Sequence, residues 1–196
     1  MPGYHHGNLR TALIEAAVAL GRQKGPDGVV LREVARQTGV SHNAAYRHFA
    51  DRDELLHEAA RCGLAELAER MRERTRAVHA DDPRERARLR LREVGKAYVE
   101  FALTEPGLFA VGFAHAAELS ELSGPFDLLR EALDECVETG HISADKRPGA
   151  ELPCWAGVHG FAMLYGTGPL RTTPAERRDA DLAVVLDRID DSLRAG

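Results

Sequence analysis

The chain has 196 residues, of which 44% are apolar and 29% are charged. This length allows one domain or two small domains with a hydrophobic core, and the composition excludes a disordered or membrane-embedded chain. The three cysteines, Cys62, Cys136 and Cys154, have no CxxC spacing, which argues against a disulfide framework or a thiolate zinc site. Because the N-terminal residues lack the apolar stretch of a secretory signal, we expect a cytoplasmic protein.

One uncharged stretch, between Glu151 and Arg171, approaches the length of a membrane span. It contains Pro153, His159 and a terminal GTGP sequence, and the turn that GTGP favours would leave backbone groups without partners in lipid. The stretch therefore predicts a buried helix.

The net charge of −5 is unevenly distributed along the chain. Residues 1–50 carry +3, the other 146 residues carry −8, and five of the nine histidines lie within the first 60 residues. A basic end on an acidic body is expected when one part of a protein contacts phosphate, although a surplus of three charges also arises by chance.

Apolar residues recur at spacings of three and four along nearly the whole chain, which predicts an all-α fold of about nine helices. The first predicted helix begins at Asn8 and ends at the GPDG sequence of residues 25–28. Short helices are predicted over Leu31–Thr38 and from about Ser41 to Phe49. A long helix begins at Asp51, where the sequence D-R-D-E resembles a capping box.

The remaining predicted helices follow Gly, Pro and Ser clusters. Asp82-Pro83 and Thr173-Pro174 each offer an N-cap followed by proline at the first helical position. Further helices are predicted near residues 105–118, 125–139 and 149–166. We assign residues 1–60 to a first domain and residues 61–196 to a second.

Residues 31–50 predict a helix-turn-helix motif. Two short helices that cross steeply need a small residue at the crossing, a left-handed turn residue and apolar anchors, and Ala35, Gly39, Val34 and Val40 supply them. Ser41 is placed to cap the second helix. The side chains beyond it are small or capable of hydrogen bonding, which suits a helix that enters a major groove.

Residues 9 to about 60 resemble the DNA-binding domain of the tetracycline repressor (TetR) family. The resemblance is carried by Val34-Ala35, Gly39-Val40-Ser41, Tyr46, Phe49 and the D-R-D-E-L-L sequence of residues 51–56. The family usually has Lys where Arg52 stands and a larger aliphatic residue where Ala45 stands. The N-terminal YHHGNLR sequence and the W-x-x-x-H-G pattern of residues 155–160 are also similar to a subgroup with a W-H-G-type C-terminal domain.

The resemblance implies an N-terminal three-helix DNA-binding domain followed by a helical domain for ligand binding and dimerisation. It further implies a homodimer whose recognition helices enter successive major grooves of a palindromic operator, so that transcription is repressed. Release from the operator follows when a small molecule changes the spacing of the two helices. Neither catalytic residues nor a cofactor are expected.

The residues expected to contact DNA lie on the second helix of the motif and at the start of the next. Tyr46, His48 and Arg52 suit phosphate contacts, Arg52 because it stands at a positive helix N-terminus. Base recognition falls to His42, Asn43, Ala44 and Arg47, in the pairings that side-chain geometry allows. The alternatives are a buried ring for Tyr46 and a solvated charge for Arg47. The full predicted set is Ser41, His42, Asn43, Ala44, Tyr46, Arg47, His48 and Arg52.

The second domain contains a cluster of aromatic residues, which is more often a packed core than a ligand pocket. Trp155 and His159 share one helix face, as do Phe109 and Phe113. We expect these two faces to enclose a site for an apolar or aromatic small molecule, with His159 either a ligand donor or a core histidine. The predicted ligand-binding residues are Phe101, Phe109, Phe113, Trp155 and His159.

The last predicted helix has an apolar stripe that can form a four-helix bundle across a twofold axis, together with the helix that contains Trp155. The stripe predicts a dimer interface at Leu182, Val185, Leu186 and Ile189.

Two other functions remain open. His115 and Glu118 are three residues apart on a predicted helix, which is the spacing of a metal-binding pair and would suit a metal-sensing regulator. An all-helical interaction module without DNA binding differs from both, because only a DNA-binding protein loses affinity steeply with salt. The sequence lacks a GxSxG motif, a P-loop and a Rossmann fingerprint, so an enzyme is not expected.

Overall fold

The computed structural model describes residues 6–114 and 123–194 of the chain. Helices account for most of these residues, and the described part contains no β-strand. The prediction of an all-α fold with about nine helices is therefore confirmed. The helices are α1 (His6–Lys24), α2 (Leu31–Gln37), α3 (His42–Tyr46), α4 (Arg52–Arg76), α5 (Pro83–Thr104), α6 (Pro106–Phe113), α7 (Pro125–Glu138), α8 (Glu151–Gly166) and α9 (Ala175–Leu193).

Most helix boundaries lie within a few residues of the predicted ones. Asp82 caps α5 as expected, since its Oδ1 accepts a hydrogen bond from the backbone N–H of Arg84 at 3.1 Å. The helix that was predicted to follow Thr173-Pro174 begins at Ala175, because the backbone of Pro174 is still extended (ψ 147°). The predicted end of the 105–118 helix lies outside the described residues.

Contacts divide the chain into two compact units. The first contains α1, α2, α3, the part of α4 that ends at Glu66, and α6. The second contains the rest of α4, which starts at Leu67, together with α5, α7, α8 and α9. The division thus falls inside α4, and α6 belongs with the N-terminal helices although the sequence assigned it to the second domain.

Glycines explain why α6 packs against α1 in the first unit. A Cβ on Gly107 would lie 2.6 Å from the carbonyl oxygen of Gly21, and one on Gly21 would lie 2.8 Å from the side chain of Val111. The backbones of α1 and α6 are therefore so close at Gly21 and Gly107 that a larger residue would not fit there. The core of this unit is formed by Leu13, Leu20, Val34, Phe49, Leu55, Leu56 and Leu108.

The second unit packs its helices around α5. Gly95 of α5 contacts Leu186 of α9 and Val158 of α8, and Gly157 of α8 contacts Ile189 of α9. Its largest fully buried side chains include Met71, Tyr98, Phe101 and Leu133. Close helix approach at these glycines places α9 directly against α5 and α8 of the same chain.

Candidate nucleic-acid interface and apolar cavity

Helix α3 is held in place by its turn, its cap and two buried anchors. Gly39 has φ +70°, which provides the left-handed turn after α2. Ser41 accepts a hydrogen bond on Oγ from the backbone N–H of Ala44 at 3.2 Å, so the predicted N-cap is present. Ala45 and Phe49 are fully buried. These contacts fix which face of α3 points outward.

The outward face of α3 contains the predicted DNA-binding side chains. Tyr46 is 47% exposed, so the alternative of a buried ring is wrong. The His42 and Tyr46 rings meet edge to face, with centroids 4.6 Å apart. The exposed members of the predicted set are Ser41, His42, Asn43, Tyr46 and Arg47, and the half-buried members are Ala44 and His48.

Arg52 lies at the first residue of α4 but is engaged with backbone carbonyl groups. Its Nε donates to the carbonyl oxygen of Val29 at 2.9 Å, and its Nη2 donates to that of Pro26 at 2.7 Å. The sequence predicted that Arg52 contacts phosphate. It did not predict these carbonyl partners, because they lie 23 and 26 positions away in the chain.

The start of α4 is rich in satisfied carboxylates. Asp51 accepts on Oδ1 from the backbone N–H of Glu54 at 2.9 Å, and Glu54 accepts on Oε2 from the backbone N–H of Ala50 at 2.7 Å. These two bonds form a capping box, except that Glu54 accepts from the N–H of Ala50, the residue before the N-cap Asp51, and not from the N–H of Asp51 itself. Asp53 Oδ1 lies 3.7 Å from Nη1 of Arg52. Arg52 thus has three acidic residues within two sequence positions, and one of them, Asp53, lies within salt-bridge distance of its guanidinium.

An apolar cavity of about 30 Å³ lies inside the second unit. Of the five predicted ligand-binding residues, only Trp155 lines it. Trp155 is nearly buried and contacts the Tyr98 ring edge to face, at a centroid distance of 5.0 Å. The lining consists of Met71, Leu91, Arg92, Val94, Gly95, Tyr98, Leu129, Cys154, Trp155, Val158, Leu186, Ile189 and Asp190.

His159 is hydrogen bonded next to this cavity. Its Nδ1 and the hydroxyl of Tyr98 lie 2.7 Å apart, and burial lowers the pKa of the imidazole. This arrangement fits the core-histidine interpretation. Burial also raises the pKa of the Cys154 thiol, on the cavity wall, to about 12, so the cavity presents a protonated thiol at neutral pH.

The predicted phenylalanines lie elsewhere. Phe109 and Phe113 contact each other in α6, with ring centroids 4.7 Å apart, and α6 belongs to the first unit. Phe101 is buried in α5, and the Arg70 guanidinium lies over its ring at 4.9 Å. Helical spacing alone could not show which unit each aromatic residue joins.

The α9 stripe faces the interior of its own chain. Leu186 is 5% exposed and contacts Gly95, while Val185 and Ile189 contact Gly157 of α8. Leu182 lines an open groove of about 530 Å³ between α5 and α9, together with Val99 and Leu103. The prediction that Leu186 contacts a partner chain is corrected by this burial. Val184 is a large apolar residue of α9 that is exposed, at 56%.

Helix α8 has an exposed face without charged side chains. Its exposed residues are Leu152, Pro153, Ala156, Gly160, Met163 and Leu164. A Cβ on Gly160 would meet nothing within 4 Å. We call these six residues the α8 face.

The second unit contains a buried hydrogen bond between a histidine and an aspartate that the sequence did not predict. His141 Nε2 donates to Asp190 Oδ1 at 2.6 Å, and both side chains are nearly inaccessible to solvent. The available signal was the position of Asp190 in the apolar stripe of α9, four residues after Leu186 and three before Leu193.

A metal site gains no support from the described residues. No group of three or more His, Cys, Asp or Glu side chains there could hold a metal ion. The predicted pair of His115 and Glu118 lies outside the described residues. Within the same described part, the helices are all too short or too polar to cross a membrane.

Comparisons with known proteins place both units in one family. Residues 13–59 match the family described as bacterial regulatory proteins, tetR family. Residues 91–189, about half of the chain, match the family described as tetracyclin repressor-like, C-terminal domain.

Two individual proteins are also similar to this chain. An uncharacterized HTH-type transcriptional regulator of Haemophilus influenzae is 40% identical over 73 residues, which are 36% of this chain and 35% of that protein. A Rhodococcus sp. RHA1 protein of unknown function is 29% identical, with a TM-score of 0.80 and coverage of 100% of both chains.

A more distant structure shares the fold alone. TetR-Q116A from Acinetobacter baumannii AYE, in complex with minocycline, is 20% identical, with a TM-score of 0.65 and coverage of 99% of this chain and 100% of that one. The chain therefore belongs to the tetR family, whose members are ligand-responsive, DNA-binding regulators of transcription.

Proposed function

We propose that this chain is a dimeric transcriptional repressor that binds a palindromic operator through α3 and is released by a small apolar or aromatic effector. The observation that carries the proposal is the outward face of α3, where a capped helix presents hydrogen-bonding side chains and buries Ala45 beneath them. The protein acts in the cytoplasm, on chromosomal DNA.

The exposed side chains of α3 have distinct roles in this proposal. Arg47 makes a bidentate contact to guanine, Asn43 pairs with adenine, and the methyl group of Ala44 meets thymine. Tyr46 and His48 donate to phosphate oxygens, which fixes the position of the helix without specifying sequence. The ring contact between His42 and Tyr46 supports a phosphate contact by Tyr46, because it holds the Tyr46 ring in one orientation.

The effector enters the cavity next to Trp155. The lining is almost wholly apolar, which favours an apolar or aromatic molecule. A cavity of about 150 Å³ is known to hold benzene. The cavity of about 30 Å³ must therefore open when an aromatic effector binds. A ligand that binds only the opened form stabilises that form by its differential affinity, which is the thermodynamic requirement for induction.

The dimer forms through the α8 face together with Val184. Apolar residues exposed on one face of a helix are expected to be covered by a partner. The small residues Ala156 and Gly160 allow two copies of α8 to approach closely. A twofold axis through this face would produce the four-helix bundle of α8 and α9.

Operator binding is tested by selection from a pool of random duplexes with the purified chain, followed by titration of the recovered duplex with salt. We expect a palindromic consensus and a steep fall of affinity with salt that reflects several phosphate contacts per protomer. A chain that enriches no sequence at low salt would instead be a helical interaction module. A reporter gene behind the recovered site then separates repression from activation.

A further inference from the structure

We infer that Arg52 is a positioning residue for operator recognition, which fixes the helix-turn-helix motif by binding backbone carbonyl groups of Pro26 and Val29. The inference rests on the proposed operator binding and assigns a role to a residue whose position at a helix N-terminus suggests phosphate contact.

The geometry of the guanidinium carries the first step. Two of its nitrogens donate to two carbonyl oxygens, at 2.9 Å to Val29 and 2.7 Å to Pro26. Both distances are typical of strong, charge-assisted hydrogen bonds. Only a planar group with several fixed donors reaches two acceptors in this way, and a lysine ammonium would lose one of them.

The positions of the bonded residues carry the second step. Pro26 and Val29 belong to the turn that leads from α1 into α2, and Arg52 begins α4 directly after α3. The two hydrogen bonds therefore connect the chain just before α2 with the chain just after α3. Because the motif lies between these two points, the connection limits how α3 can tilt relative to α1.

The charges around Arg52 carry the third step. Asp51 and Asp53 are its sequence neighbours, Glu54 follows Asp53, and all three are exposed. Glu54 and Asp51 accept hydrogen bonds from backbone N–H groups at this helix start, and Asp53 Oδ1 lies 3.7 Å from Nη1 of Arg52. Three carboxylates at one helix start repel phosphate, so this helix start is a poor phosphate site despite its dipole.

A positioning role and a phosphate contact differ in their effect on salt dependence and on specificity. A lost phosphate contact lowers the slope of log affinity against log salt by about 0.9 per contact and weakens all duplexes alike. A lost positioning contact weakens the operator while leaving nonspecific binding and the slope nearly unchanged. Misplacement of α3 removes base contacts, whereas the number of neutralised phosphates stays the same.

The test uses the full chain with three substitutions: Arg52→Ala, Arg52→Lys and the control Arg61→Ala. Arg61 is an exposed arginine of the same helix, paired with Glu58. Each protein is titrated with the selected operator and with a scrambled duplex at several salt concentrations, below the melting temperature of the least stable variant.

We expect both Arg52 variants to lose about tenfold in operator affinity, since each loses at least one hydrogen bond to a charged group. Affinity for the scrambled duplex and the salt slope should match those of the wild type, and Arg61→Ala should match it throughout. A lowered melting temperature without DNA would also support the inference, because a phosphate contact does not exist in the free protein.

The inference is overturned if Arg52→Lys binds the operator like the wild type, or if Arg52→Ala lowers the salt slope by about one per protomer. If the Arg52 variants melt lower but keep the ratio of operator to scrambled affinity, Arg52 serves stability alone and the inference is likewise wrong. Absence of any preference in the wild-type chain would contradict the proposed function itself, so the two failures are distinguishable.

Discussion

At the scale of single residues, Arg47 offers the clearest test of base recognition. It is exposed at the end of α3, and a bidentate contact to guanine is worth about 1–3 kcal/mol of discrimination. We expect Arg47→Ala to tolerate substitution of one base pair in each half-site that the wild-type chain rejects. Competition binding with operators mutated one position at a time measures this.

Arg61→Ala again supplies the control, since it removes the same charge from α4. If both variants lose affinity equally for every operator sequence, Arg47 is a solvated charge that contributes only to the general field.

His159 provides a second residue-scale prediction, on the pH dependence of stability. Burial lowers the pKa of its imidazole below the ordinary value of 6.5, so the folded chain binds fewer protons there than the unfolded chain. The contribution of His159 to stability is complete above pH 6.5 and is lost as the pH falls through the lowered folded-state pKa.

His159→Asn keeps a polar atom near the Tyr98 hydroxyl but does not titrate. We therefore expect the free energy of unfolding of the wild type to fall relative to that of the variant as the pH is lowered from 7 to 5. Denaturant unfolding at each pH measures it. A difference that stays constant across this range would show that His159 titrates alike in the folded and unfolded chains.

The residues that the sequence could predict are those whose partners are close in the chain. Ser41 caps the N–H of Ala44, three positions away, and Gly39 provides a local turn, so pattern analysis found both. The carbonyl partners of Arg52 and the contact of His141 with Asp190 were not predicted, because these partners are 23 or more positions away. Long-range polar contacts depend on tertiary packing, which composition and periodicity do not encode.

At the scale of helices, the contact between α1 and α6 is set by Gly107. A methyl group there would lie 2.6 Å from the carbonyl oxygen of Gly21, and backbone atoms cannot move aside as a flexible side chain can. We expect Gly107→Ala to lower the free energy of unfolding by about 1–3 kcal/mol through overpacking. Urea denaturation measures the change.

Gly112, in the same helix α6, is the matched control, because a methyl group there would lie 3.4 Å from the flexible side chain of Leu64, an ordinary van der Waals contact. Gly112→Ala should therefore change the free energy of unfolding much less than Gly107→Ala. Equal destabilisation by the two substitutions would mean that the close approach at Gly107 does not determine how α6 packs.

The C-terminal end of α9 depends on Asp190. Its carboxylate accepts hydrogen bonds from His141 at 2.6 Å and from Arg194 at 3.1 Å, and the first of these is buried. Removal of the carboxylate leaves the buried His141 N–H without its acceptor, at a cost of about 1–3 kcal/mol. We expect Asp190→Ala to destabilise the chain by this amount, whereas Asp191→Ala, one residue further along, should change stability little. Thermal unfolding of both variants makes the comparison.

Periodicity predicted the number and type of helices well but could not assign their faces to partners. The stripe of Leu182, Val185, Leu186 and Ile189 is a good apolar face, and the sequence favoured a second chain as its partner. The structure covers most of it with α5 and α8, because Gly95 and Gly157 allow α9 to pack closely. Exposed apolar residues lie instead on α8, where glycine and alanine interrupt the periodic pattern of large apolar residues.

At the scale of the whole molecule, the basic charge and the proposed effector cavity belong to different parts of the chain. The first 50 residues carry +3 and include α3, whereas the cavity lies in the second unit, within the acidic remainder. A division of this kind lets one unit bind phosphate while the other binds an apolar molecule. Communication between the two functions requires the effector to distinguish two conformations of the dimer.

The proposed dimer interface can be distinguished from the protomer core by two sets of substitutions. Leu164 is 46% exposed on the α8 face and Val184 is 56% exposed on α9. We expect Leu164→Asp with Val184→Asp to give a folded monomer, because each aspartate would be solvated in the protomer but buried without a partner in the dimer. Leu186→Asp places the same charge in the protomer core and should unfold the chain.

Sedimentation and circular dichroism together resolve these outcomes. The double variant should sediment as a monomer with the helical signal of the wild type, and its operator affinity should fall because one protomer contacts only one half-site. Leu186→Asp should lose the helical signal. A double variant that remains a dimer would place the interface outside the α8 face and Val184.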